Sequence, residues 1–292
     1  MSWHTESVDF AGEEGMLHGE LLLPKGDGPY AGAVLCHGAT TDHRAMRPSA
    51  QRLTRRGIAT LTFDFRGHGR SDGFLDANVA KDVTSAVGFL RNHPKVDPEC
   101  IALVGHSLGA LAAIHTAAEL ENIQALVFLS SPADIDVQME EFMAPLYHKV
   151  TQAQGYTIEF PRFGPLPLLS WFHGIVSRLW MWIRGYRMRI HLGQNTESWV
   201  ILNPITAVHK IGAFPKLFVH CAGDKMVPYK GTLKLYEKAR WPKEILISKG
   251  GFHALPLFPG RLREKWIDWL VSTLAQAKGG STRSEREMQI EE

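Results

Sequence analysis

The sequence predicts an α/β protein with a mostly parallel central sheet covered by helices on both faces. Three observations lead there. Short apolar runs alternate with longer segments of helical spacing along most of the chain. Runs such as Ala31 to Cys36 are too short for a helix and too apolar for a surface strand. His37, Ser107, Asp224 and His253 each stand just after such a run. Ligands of parallel sheets bind at the carboxyl ends of strands, so this placement is informative.

The elements follow in order. Val8 to Leu23 holds two apolar runs around the turn-like Gly12 to Gly15, which predicts a hairpin or two strands edged by Pro24. Ala31 to Cys36 is a buried strand. Pro48 to Arg56 reads as a helix stopped by Gly57. Ile58 to Phe65, rich in β-branched and aromatic residues, is a strand followed by the loop RGHGRS. Val79 to Asn92 is a helix closed by Pro94, Ile101 to Val104 a strand and Leu108 to Leu120 a helix. Ala125 to Leu129 and Lys216 to His220 are strands. A helix near Thr232 to Ala239, a strand at Glu244 to Ile247 and a helix from Leu262 to Gln276 complete the pattern.

Composition narrows the function. A chain of 292 residues with 45% hydrophobic residues can bury a large core. A net charge of +2 with 21% charged residues offers no basic stripe, so no nucleic-acid partner is expected. Cys36, Cys100 and Cys221 are far apart and lie in or beside apolar runs, the pattern of buried thiols. No spacing of Cys and His suits a metal, and no metal is expected. The first ten residues lack the basic and then apolar pattern of a signal peptide, so a cytoplasmic protein is expected.

The chemistry starts at GHSLG, Gly105 to Gly109, which matches G-x-S-x-G between a strand and a helix. A serine on such a tight turn needs small neighbours, and the helix that follows favours developing negative charge beside it. A serine hydroxyl needs a general base, and the base needs an orienting group. Downstream, Asp224 in AGDK and His253 in GGFH each follow a strand, in the chain order expected for this turn. Ser107 is therefore the candidate nucleophile, His253 the base and Asp224 the orienting acid. Asp134 is the reserve acid. Backbone N–H groups of Leu108 and Ala39, with Thr40 as the alternative to Ala39, are candidate oxyanion donors. His37 is read as a brace for their loop.

HGAT, DFRGHGRS, GHSLG, AGDKMVP and GGFH, in this order, resemble the α/β-hydrolase superfamily. Within it they are similar to serine esterases and monoacylglycerol-lipase-like acyl hydrolases. The resemblance covers about Val8 to Gln276 and implies an α/β-hydrolase domain over 1–277. It implies carboxylic-ester hydrolysis through an acyl-enzyme on Ser107, with no cofactor, and a structural role for Arg66, His68 and Arg70. Thioesterase, acyltransferase, peptidase and carbon–carbon-bond hydrolase chemistry can use the same triad. Epoxide and carbon–halogen hydrolases carry an acidic nucleophile, which Ser107 is not. A non-catalytic binding module would be expected to break the triad.

One segment interrupts the alternation. Between the strand ending at Leu129 and the one beginning at Lys216 lie about twice the residues that a single connecting helix needs, and about Ala133 to Val200 of this span is a predicted cap over the strand ends. It holds Trp171, Trp180, Trp182 and Trp199, and five arginines: Arg162, Arg178, Arg184, Arg187 and Arg189. Trp171, Trp180 and Trp182 are candidate substrate-binding residues for an apolar acyl chain, against their use in packing the cap onto the core. The arginines are read as a solvated face or as contacts for an anionic group. Phe163 to Ile183 is apolar, but Pro165, Pro167 and Gly174 interrupt it and no membrane span is expected. Shallow membrane-surface contact through the cap stays open, as does the oligomeric state. The polar tail 278–292 is expected to be disordered.

Overall fold

A computed structural model of the chain describes residues 2–134, 156–160, 186–192, 202–279 and 289–290. The elements are β1 (Trp3–Ala11), β2 (Met16–Pro24), β3 (Tyr30–Cys36), α1 (Arg47–Thr54), β4 (Ala59–Phe63), α2 (Val79–Arg91), β5 (Val96–His106), α3 (Leu108–Glu119) and β6 (Ile123–Leu129). They continue with β7 (Tyr156–Phe160), β8 (Met188–Leu192), β9 (Lys216–Cys221), α4 (Tyr229–Lys238), β10 (Lys243–Ser248), α5 (Arg261–Gly279) and β11 (Gln289–Ile290).

One sheet runs in the order β1-β2-β4-β3-β5-β6-β9-β10-β11. β1, β2 and β4 pair antiparallel. From β4 through β3, β5, β6, β9 and β10 every pairing is parallel. β6 and β9 are neighbours in the sheet. β11, two residues of the expected disordered tail, lies parallel to β10.

Strand parity explains why the central runs are apolar throughout. Ile101 and Leu103 of β5 point to the face covered by α2 and α3, while Ala102 and Val104 point to the face covered by α1 and α5. Leu126 and Phe128 of β6 divide from Val127 and Leu129 in the same way. Trp266 of α5 is fully buried among the second set. Burying a large apolar side chain contributes about 1.5–3 kcal/mol, which makes these two faces the main stabilising layers.

β5 begins earlier than its apolar run. Val96 pairs with Tyr30 and Ile101 with Gly32, across a shift of register that accommodates the polar stretch between them. All three cysteines are free and buried. No helix among the described residues is long and apolar enough to cross a membrane.

Within the segment predicted as a cap, β7 and β8 pair antiparallel. The chain around β8 is docked on the loop after β4 by main-chain bonds. Gly69 N–H donates to the Arg187 carbonyl at 2.7 Å, Arg189 N–H to Gly67 at 2.7 Å and Leu75 N–H to Arg189 at 2.8 Å. The Arg189 guanidinium donates to the Ser71 carbonyl at 2.7 Å, so it serves this docking.

Candidate active site

β5 ends at His106, and Ser107 turns the chain into α3 with φ 54° and ψ −116°. A non-glycine residue there is strained, a conformation that persists only where its surroundings impose it. The neighbours show what imposes it. A Cβ on Gly105 would lie 2.3 Å from the Gly109 carbonyl oxygen, and one on Gly109 would lie 2.3 Å from that of Cys36. Strand, turn and helix are pressed together at closer than side-chain distance. Ser107 N–H donates to Leu129 of β6 at 2.9 Å, which ties the turn to the sheet.

Asp224 and His253 come together. His253 Nδ1 lies 2.7 Å from Asp224 Oδ2. Asp224 Oδ1 accepts from the N–H groups of Met226 at 2.8 Å and Val227 at 3.0 Å. Burial alone would raise the Asp224 pKa, but donors from His220, His253 and Val227 outweigh it and hold the carboxyl well below the ordinary range. It is therefore ionised, and the His253 nitrogen facing it carries the proton.

His253 is anchored beside the elbow by its own carbonyl. That oxygen lies 3.1 Å from His106 Nε2 and accepts from Ser130 Oγ at 2.8 Å. His106 is the residue before Ser107, and its ring stands 4.8 Å from that of His253. Burial, then the nearby His253, lowers the His106 pKa to about 4, so it is neutral and Nε2 is the donor. Ser130 adopts φ 49°, another strained position at a strand end. In this structure Ser107 Oγ and His253 Nε2 make no hydrogen bond to a described residue. Such contacts often close only with substrate. Asp134, the reserve acid, accepts from Asn203 Nδ2 at 3.1 Å.

The loop after β3 is set from below. The Gly38 carbonyl accepts from Thr41 N–H at 3.2 Å and Thr41 Oγ1 at 3.0 Å, with His37 Nδ1 at 2.8 Å. A trans peptide then points the Ala39 N–H the opposite way. His37 Nε2 accepts from Phe65 N–H at 3.1 Å, and burial lowers its pKa to about 3. It is a neutral brace. The Ala39 carbonyl is held in turn by His68 Nε2 at 2.8 Å. Burial keeps His68 below its ordinary range. Among the described residues, neither Ala39 N–H nor Leu108 N–H has a hydrogen-bond acceptor, and the same holds for Thr40.

Arg66 is buried against Asp82, donating at 2.8 Å, and Arg70 N–H donates to Asp64 at 3.1 Å; both belong to the architecture of the loop after β4. Trp171, Trp180, Trp182 and Trp199, and Arg162, Arg178 and Arg184, lie outside the described residues. Asp42, His43 and Asp64 present possible metal-ligating atoms within 4.8 Å of one another. Those atoms are already engaged: His43 Nδ1 on Asp64 at 2.7 Å, and Asp42 by the Arg44 guanidinium. A cation would have to displace both.

Sequence reasoning did not find His106, Ser130, His220 or Tyr186. His106 sits inside GHSLG and His220 four residues before Asp224, which are signals of position only. Tyr186, whose hydroxyl lies 3.4 Å from the Ala39 carbonyl, carries no signal of its own.

Comparison with known proteins agrees with the fold. The model of the alpha/beta hydrolase family matches residues 33–265. The uncharacterized protein YfhR of Escherichia coli strain K12 is 24% identical over 283 residues, covering 93% of this chain and 82% of that one. The alpha/beta hydrolase GrgF from Penicillium sp. sh18 superposes with a TM-score of 0.72 at 22% identity, covering 94% of this chain and 98% of that one. An esterase of Pyrococcus furiosus gives a TM-score of 0.67 at 21% identity, covering 94% and 91%. The family match supports a protein of the hydrolase class. The chain belongs to the alpha/beta hydrolase family.

Proposed function

We propose that this chain is a serine-dependent carboxylic-ester hydrolase acting through an acyl-enzyme, on esters with apolar acyl groups such as monoacylglycerol-like lipids. The observation that carries the reading is the Asp224–His253 bond at 2.7 Å, on a histidine tied through its carbonyl to the residue before Ser107.

In this mechanism the ester carbonyl oxygen lies toward the N–H groups of Ala39 and Leu108. Ser107 Oγ attacks the carbonyl carbon while His253 Nε2 takes the hydroxyl proton. The tetrahedral oxyanion is stabilised by the two N–H groups and the α3 N-terminus. As it collapses, the alcohol leaves with the proton from His253. Water, deprotonated by the same nitrogen, then attacks the acyl-enzyme, and Ser107 regains its proton as the acid departs. Asp224 stays ionised and stabilises the imidazolium formed in each half. Trp171, Trp180 and Trp182 are assigned to the acyl pocket, and the same cap is assigned any shallow contact with a lipid surface. The place of action is proposed to be the cytoplasm.

The test is hydrolysis of p-nitrophenyl esters from acetate to palmitate by wild type and Ser107→Ala. Activity that rises toward medium or long acyl chains and vanishes in the variant supports the reading. Silence of wild type on every ester sinks it. Acyl transfer to an added alcohol in preference to water would redirect it to an acyltransferase.

A further inference from the structure

Asp224 is held by more than the base it orients. Its Oδ1 accepts two backbone N–H groups, from Met226 and Val227. Its Oδ2 faces two imidazoles, His253 Nδ1 at 2.7 Å and His220 Nε2 at 3.1 Å. A carboxylate offers about four lone-pair sites, so these four donors fill it.

His220 is built for this contact. It lies on β9 with the same parity as Phe218, which points it toward α4. Both its side chain and that of Asp224 are 0% exposed. Its Nε2 also faces the Val227 carbonyl at 2.9 Å. Both partners of Nε2 are acceptors, so this nitrogen carries a proton. Its Nδ1 lies 2.6 Å from Thr232 Oγ1 of α4, which in turn is 3.3 Å from the Ser131 carbonyl. Thr232 thus fixes the ring from the far side. A buried histidine on a strand usually just fills the core, but here both ring nitrogens are committed.

We propose that His220 is a positioning residue of the Ser107–His253–Asp224 site: it occupies the same carboxylate oxygen that orients His253 and divides that oxygen's charge between two imidazoles. This rests on the roles given above to Asp224 and His253. Removing the His220 donor concentrates the Oδ2 charge on His253 and stabilises its imidazolium. The acid limb of catalysis then moves to higher pH, because the base must be neutral to act.

The surroundings leave the effect readable. Among the described residues, the titratable groups facing the pair are His106 from β5 and His220 and Cys221 from β9. Burial lowers His106 to about 4 and raises Cys221 to about 11. Thr232 adds only a hydroxyl, and Lys225, next in the chain, is exposed. Between these limits, among the described residues, the carboxylate answers to His220 and His253.

The experiment is an NMR titration of histidine-labelled protein, with His253 assigned by comparison with His253→Gln, on wild type, His220→Leu and His220→Gln. The expected result is a His253 pKa raised by about 0.5–1 unit in the Leu variant and by less than half as much in the Gln variant, which keeps an N–H donor. The acid limb of kcat/KM should move with it. Should the Leu variant fail to fold, Thr232→Val must shift His253 in the same direction by less, since it removes the group that fixes the His220 ring. An unchanged His253 pKa in a folded Leu variant, or in Thr232→Val, overturns the proposal. The titration needs no substrate. A wild type silent on all esters would count against the proposed reaction while the titration still decides the place of His220.

Discussion

Two buried aspartates follow strands of the main sheet, and each holds a histidine Nδ1 at 2.7 Å: Asp64 with His43, and Asp224 with His253. Both carboxyls lie well below the ordinary range although burial opposes it, because imidazole and backbone donors prevail. Both histidine side chains are nearly closed off, at 10% and 12% exposure. The difference is at the far ring nitrogen. His43 Nε2 faces Glu20 at 3.9 Å, and Glu20 is itself paired with Arg47 at 2.7 Å. His253 Nε2 has no partner among the described residues, and its main chain is tied to the elbow. An Asp–His pair orients an imidazole; a free nitrogen beside a strained serine makes that orientation useful.

The sharpest way to break this comparison is substitution at both aspartates. Asp224→Asn and Ser107→Ala should each lower kcat/KM by about 10³-fold or more, and Ser107→Ala should leave thermal stability nearly unchanged. Asp64→Asn should instead destabilise by about 2–4 kcal/mol, read from urea midpoints, while its folded fraction keeps kcat. An Asp64 variant that folds fully but loses kcat would show the pairs are not different in kind.

Acid should expose the buried histidines next. His37 and His106 are held neutral to about 3 and about 4, whereas unfolded histidine takes a proton near 6.5. Their contribution is fully present above that value and is lost as pH falls, by about 1.4 kcal/mol per pH unit for each histidine. Asp64 and Asp224 add to the loss only below about pH 4, where unfolded carboxyls protonate first. Urea midpoints at pH 7, 6 and 5 should fall progressively. A flat profile would refute the neutral, buried assignment.

Smaller effects sharpen the picture of the site. Ser130→Ala removes one of two holds on the His253 carbonyl and should lower kcat about 3- to 10-fold with KM little changed; a change in KM alone would argue against a positioning role. Tyr186→Phe removes a long contact to Ala39 and should change kcat/KM by less than about 3-fold, checked on the same ester series.

The sheet was legible because its central strands are buried on both faces and so read as bare apolar runs. The elbow was legible because only glycine fits at 105 and 109, where an added Cβ would run into the backbone of Gly109 and of Cys36. β5 extends back to Val96 through a polar stretch that no apolar pattern marks. His220, His106 and Ser130 gain their meaning from partners 4 to 147 residues away. A sequence shows such residues as ordinary buried polar ones. Asp224 was legible by its place after a strand, and its second histidine was not.

The backbone of Ser107 has one further implication, for selection and engineering. A residue at φ 54° and ψ −116° sits where only glycine is at ease. A library screened for heat resistance alone would be drawn toward glycine at this position, and under the proposed mechanism the winners would be inert. Durability and reactivity pull against each other at a single codon, so a stabilisation campaign on this chain has to score turnover alongside melting.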